Sequence, residues 1–186
     1  MFQKVVKANT SRLTEFGEAL KTGDAAKVEK LFTSYLYDSI TVRDSSASSC
    51  AKRIGMDDAT CRRAERGGVS RVQNDKKEIL YHGEMIGILV NIEGWDSKTN
   101  ADTGDGYSDA MVKIEDEDIG IIIEFKYARN ARFDAECKDA MEQIDRMHYT
   151  SELKHEGFHT IYKYGIACFK KRCKVVCEKE EYVSES

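Results

Sequence analysis

The 186-residue chain has no proline, one tryptophan and no excess of positive charge. Without proline, any motif that begins with one must be written here with a substitute. The net charge is −4 and the pI is about 5.7. That balance counts against a protein that coats nucleic acid, because such domains carry a basic excess. It leaves room for a nuclease, whose metal site is itself acidic and whose phosphate contacts can be local. No apolar run approaches the about 20 residues that span a bilayer. The stretch Met1-Phe2-Gln3-Lys4-Val5-Val6-Lys7 lacks the apolar core of a signal peptide. A cytoplasmic location is therefore the expectation. No G-x-x-x-x-G-K-[ST] occurs, so these residues carry no P-loop ATPase.

Six cysteines are present: Cys50, Cys61, Cys137, Cys168, Cys173 and Cys177. None forms a C-x-x-C pair, and zinc motifs show such tight pairing. Reduced, packed thiols are expected.

A hydrophobic share of 41% suits one globular core. Leu13, Phe16 and Leu20 mark a first helix, with Gly23 as its stop and Asp24 as the next N-cap. Val28, Leu31, Phe32, Tyr35 and Leu36 then recur at helical spacing. Residues 1–40 thus predict a helical hairpin that packs on the core. Residues 41–77 are rich in Ser, Arg, Asp and Gly and predict a flexible insertion or loop whose arginines could touch phosphates. Ile79, Leu80, Met85, Ile86, Ile88 and Leu89 predict a largely buried helix. A strand near residues 95–98, a Gly-rich turn at Thr103-Gly104-Asp105-Gly106 and a strand bearing Asp109 come next. Glu115-Asp116-Glu117-Asp118 predicts an acidic turn. A helix over residues 133–148, with Met147 and His148 on its apolar face, a short helix near residues 151–155 and two closing strands near 160–169 and 173–177 complete a core over 78–178. Residues 179–186 remain as a tail.

The most informative stretch is Gly120-Ile121-Ile122-Ile123-Glu124-Phe125-Lys126. Its β-branched run predicts a strand buried on both faces. Period-two alternation puts Glu124 and Lys126 on one side. A carboxylate and an ammonium at the end of a buried strand are costly without partners or work. With Asp109 on the preceding strand, two carboxylates and a lysine suit a divalent-metal site for phosphodiester hydrolysis.

The order of elements, with Ser108-Asp109 on one strand and Glu124-x-Lys126 on the next, resembles the PD-(D/E)XK nuclease superfamily. It is most similar to the nuclease-like domain at the C-terminus of bacterial AAA-ATPase-like proteins. Tyr81-His82-Gly83, Gly106-Tyr107-Ser108-Asp109, Ala140-Met141-Glu142-Gln143-Ile144, Tyr149 and Tyr164-Gly165-Ile166-Ala167 carry the likeness further. Ser108 stands where the superfamily's name has proline.

The resemblance implies an α/β, restriction-endonuclease-like mixed central sheet flanked by helices. It also implies a metal-dependent nuclease, acting on DNA, with an AAA-ATPase-like partner. Asp109, Glu124 and the Phe125 carbonyl would hold Mg²⁺ or Mn²⁺. Lys126 would assist the attacking water, and Gln143 would position Lys126 or substrate. Glu78, or less favourably Glu84, is the candidate additional ligand; His82 and Tyr149 are weaker candidates. Each has a plain structural alternative. Glu124 and Lys126 could form an ion pair, Asp109 could cap a turn, Glu78 could complement a helix dipole, Gln143 could sit on a surface, and His82 could pack. A non-catalytic binding module, or a remnant of a larger protein, is the alternative function.

Overall fold

The computed structural model describes residues 2–40, 69–102 and 107–182, with side chains over 10–40, 77–98 and 109–182. Among the described residues five strands form one sheet in the order β1-β2-β3-β4-β5: Asp96–Asp102, Tyr107–Ile114, Ile119–Tyr127, Thr160–Phe169 and Arg172–Glu181. Only the β3–β4 pair is parallel. This is a mixed, restriction-endonuclease-like sheet, as expected.

Helices cover both faces. Helices α1 (Phe2–Lys21), α2 (Ala25–Ser39) and α3 (Val69–Leu89) lie on one face. Helices α4 (Phe133–Arg146) and α5 (Thr150–His155) lie on the other. The alternation of β3 divides its side chains. Ile121, Ile123, Phe125 and Tyr127 join the first core, and Ile122 joins the second. Every β3 side chain from Gly120 to Phe125 is buried, which is why the sequence reads as a continuous apolar run there.

The predicted hairpin is present. Gly23 adopts φ 73°, a left-handed turn that suits glycine. The Asp24 carboxylate accepts from the Lys27 N–H at 3.0 Å and caps α2. The Tyr164 hydroxyl donates to the Leu20 carbonyl at 2.8 Å, tying the hairpin to β4.

Several boundaries differ from the sequence expectation. Helix α3 starts at Val69, inside the stretch predicted as loop. Gln73, Lys76 and Lys77 are good helix formers there, so backbone propensity extends the helix without an apolar signal. Ile79 is 65% exposed, whereas Tyr81, Met85, Ile88 and Leu89 are buried. The buried stripe runs through positions 81, 85, 88 and 89, and Ile79 falls off it. Strand β1 runs from Asp96 to Asp102 rather than near 95–98. It is an edge strand held by its ladder to β2, and a polar edge leaves little sequence pattern.

Helix α4 ends at Arg146, and His148 is exposed at φ 51° rather than on the apolar face. Strand β5 continues to Glu181, opposite Thr160, so residues 179–181 are sheet and not tail. Cys137, Cys168 and Cys173 are buried and free, as packed thiols should be. The Gly-rich turn at residues 103–106, most of the 41–77 stretch, Cys50 and Cys61 lie outside the described residues. Among the described residues no helix is long and apolar enough to cross a membrane.

Gly165 of β4 sits directly beside Glu124 in the parallel register. A Cβ there would lie 2.9 Å from the Cys137 carbonyl oxygen and 3.1 Å from the Met141 side chain. Helix α4 therefore rests on bare backbone at this point. Gly165→Ala should lower stability by about 1–3 kcal/mol through overpacking. Urea unfolding with an unchanged midpoint would sink that account.

Candidate metal centre where β2 leaves β3

Strands β2 and β3 pair from Ile114↔Ile119 to Ala110↔Ile123 and then part. β3 continues against β4 as far as Tyr127↔Cys168. The last residues of β3 thus lose their ladder on the β2 side. Unpaired backbone amides are costly in a buried setting. Two carboxylates take them over. Asp109 Oδ2 accepts from the Phe125 N–H at 2.8 Å. Glu78 Oε1 accepts from the Tyr127 N–H at 2.9 Å. In an antiparallel ladder a residue's N–H and C=O face the same neighbour, so the Phe125 carbonyl also faces this opening.

The two carboxylates come from opposite layers. Asp109 is two residues from Met111 of the α4-side core, and Glu124 is two from Ile122 of the same core. Both therefore project on the α4 side. Glu78 comes from α3, on the other face, one turn before buried Tyr81. The sequence places Glu78, Tyr81, His82 and Met85 on one stripe of α3. That stripe brings Glu78 to the strand edge.

Glu124 is only 2% exposed. Its Oε1 accepts from Lys126 Nζ at 3.0 Å and from the Gln143 amide of α4. Its Oε2 is buried with no hydrogen-bond partner among the described residues. Burial, and then the charge of Asp109, push its pKa up to about 8. Burial alone would lower the pKa of Lys126, but the charges of Glu124, Glu78 and Asp109 more than offset that, and it is raised. The lysine is an ammonium here. Tyr149 is buried beside the group, and burial raises its phenol, opposed by a hydrogen bond with Gln143.

Asp109, Glu124, Lys126 and Gln143 therefore come together, with Tyr149 behind them. The His82 ring packs on Phe125 at 6.2 Å, and its Nε2 is buried without a partner among the described residues. Glu84 is turned away, and its charge acts on Tyr35 of α2. Among the described residues no three His, Cys, Asp or Glu side chains are arranged so that they could hold a metal ion by themselves. Glu78 stands at the strand edge on the Tyr127 amide, and its charge reaches Lys126. The donor set still suits a hard cation. It offers two carboxylates and a backbone carbonyl, and Mg²⁺ keeps waters for its remaining positions. The orphaned, buried Glu124 Oε2 is the observation that most favours such an ion.

Without metal, the folded state holds the Glu124 proton more tightly than an unfolded chain, whose ordinary value is 4.5. Unfolding free energy should therefore fall as pH rises from about 4.5 to about 8, on the order of a few kcal/mol. Glu124→Gln should flatten that part of the profile. Parallel pH profiles for wild type and variant, measured by thermal melting in chelator, would refute the assignment.

No curated protein and no solved structure matches the chain. Residues 76–178 match the family profile described as the PD-(D/E)XK nuclease superfamily. That span runs from two residues before Glu78 to the body of β5, and contains every residue of the centre. A metal-dependent nuclease-like domain is what this family carries, and the chain belongs to the PD-(D/E)XK nuclease superfamily.

Proposed function

We propose that the chain is a Mg²⁺- or Mn²⁺-dependent nuclease that hydrolyses phosphodiester bonds of DNA. The observation that carries this is the meeting of Asp109, Glu124 and Lys126 where β2 leaves β3, with Glu124 Oε2 buried and unpartnered. Asp109, Glu124 and the Phe125 carbonyl would hold the ion. When bound, it polarises the phosphate and lowers the pKa of a coordinated water.

The protein's own groups supply the rest. Lys126, held as an ammonium beside Glu124, donates to the attacking water and stabilises charge growing on the phosphate oxygens. Gln143 donates to Glu124 and fixes the orientation of that carboxylate from α4. It positions Glu124 rather than Lys126. Glu78 holds the Tyr127 amide and so steadies the strand end that presents the Phe125 carbonyl. Its negative charge also helps keep Lys126 protonated. In hydrolysis, water adds to phosphorus, one P–O ester bond breaks, and the departing oxygen leaves as a hydroxyl.

Plasmid and single-stranded DNA cleavage with Mg²⁺ or Mn²⁺ tests the proposal. Asp109→Asn and Lys126→Ala should each slow cutting by about a hundredfold or more. Folded wild type that neither cuts DNA nor binds Mn²⁺ in calorimetry would overturn the nuclease and leave a binding module.

Metal binding must displace the Glu124 proton. Mn²⁺ affinity should therefore rise by about tenfold per pH unit below about 8 and level off above it. Calorimetry across that range, giving a flat affinity, would contradict the role of Glu124.

A further inference from the structure

The acidic chain hides a charge separation along its strands. At one end of the sheet lie Glu115, Asp116, Glu117 and Asp118, all exposed. At the other end, beyond Lys126, lies a group of cations of a different kind. Lys77 Nζ donates to the Tyr127 hydroxyl at 2.9 Å and lies 4.4 Å from that ring's centroid. Lys170 lies 5.2 Å from the Phe169 ring, and Arg172 lies 5.6 Å from the Phe133 ring. Lys171 donates to the Tyr37 carbonyl at 2.9 Å.

These four are held by rings, a hydroxyl and a carbonyl, and none pairs with a carboxylate among the described residues. A ring stabilises a cation without cancelling its charge. Lys174 differs, since Asp134 neutralises it at 2.6 Å. The rings beneath them are packed together. Tyr127 packs on Phe169 at 5.9 Å and on Tyr81 at 6.5 Å. The Tyr81 hydroxyl donates to the Lys170 carbonyl at 2.9 Å and pins the β4–β5 turn.

We propose that Lys77, Lys170, Lys171 and Arg172 form a surface that tracks the phosphate backbone of duplex DNA leading into the metal centre. The choice of ligand rests on the chain being a DNA nuclease. The surface begins at Tyr127, the residue after Lys126, and extends to the β4–β5 turn. The Tyr127 ring is buried and the Phe133 and Phe169 rings are half-buried beneath cations, so they offer phosphates a charge rather than bases a stacking platform. Local charge of this sort lets a protein of net charge −4 hold a polyanion.

The test is fluorescence anisotropy of a short labelled DNA duplex with the full chain in chelator, across a salt series. The combined variant Lys77→Gln, Lys170→Asn and Arg172→Gln should weaken binding by about tenfold or more at about 0.1 M salt. It should lower the log–log salt slope by about three. Asparagine is used at 170 because Lys170 has φ 56°. Lys77→Gln alone should lower the slope by about one, and serves if the combined variant melts early. Glu115→Gln with Asp116→Asn, at the opposite end, should change affinity by no more than about twofold.

Wild type that does not bind duplex at low salt, or variants with the wild-type slope, would overturn the surface. Hydrolysis of bis(p-nitrophenyl) phosphate with Mn²⁺ separates the two proposals. Hydrolysis that persists while the variants bind duplex normally removes the surface alone. Duplex binding that depends on these cations without any diester hydrolysis removes the nuclease alone.

Discussion

The parting of β2 from β3 after Ala110 is the constraint on which the site depends. It leaves two amides of a buried strand without ladder partners, and burial makes their satisfaction obligatory. Asp109 and Glu78 satisfy them, one from each side of the sheet. The same act that completes the backbone's hydrogen bonding brings negative charge to the strand end. Glu124, directly after Ile123, and Lys126 beyond it then meet that charge. Structural need and chemical capacity share the same atoms here.

A buried carboxylate with an orphaned oxygen is a costly object. The fold tolerates Glu124 because Lys126 and Gln143 satisfy one of its oxygens and because protonation can relieve the other. The remaining demand is for positive charge at Oε2. A hard divalent cation, as proposed above, would answer it and would tie the cost of burying this carboxylate to its proposed use. Elsewhere on the same face the protein handles buried charge differently. Lys113 meets Glu152 and Glu156, and Lys163 meets Asp145, Glu178 and Glu180. Those lysines are fully partnered and anchor α4, α5 and β5, and they need no ion.

Close layer packing transmits the architecture to the centre. Gly165 lets α4 settle against β4 next to Glu124, and Gln143 reaches across because of that approach. On the other face, the α3 stripe buries Tyr81 and Met85 and delivers Glu78 to the strand edge. The N-terminal hairpin completes that layer, with Tyr164 bonded to the end of α1.

Much of this was legible in the chain because strong local patterns wrote it. The β-branched run before Glu124-x-Lys126, the helical stripe of α4 and the Gly23-Asp24 stop and cap are short-range features. Backbone geometry turns them into elements almost regardless of context. Polar edge strand β1, the Val69 start of α3 and the extension of β5 to Glu181 left weaker marks, since ladder bonds and helix propensity need no apolar period. The tertiary structure alone decided which face each carboxylate serves. Nothing local says that Asp109 takes the Phe125 amide, that Glu84 turns to Tyr35 while Glu78 reaches Tyr127, or that two lysines far apart in the chain, Lys77 and Lys170, flank one aromatic cluster. Those are long-range contacts, fixed by strand register and layer packing, and sequence spacing carries no record of them.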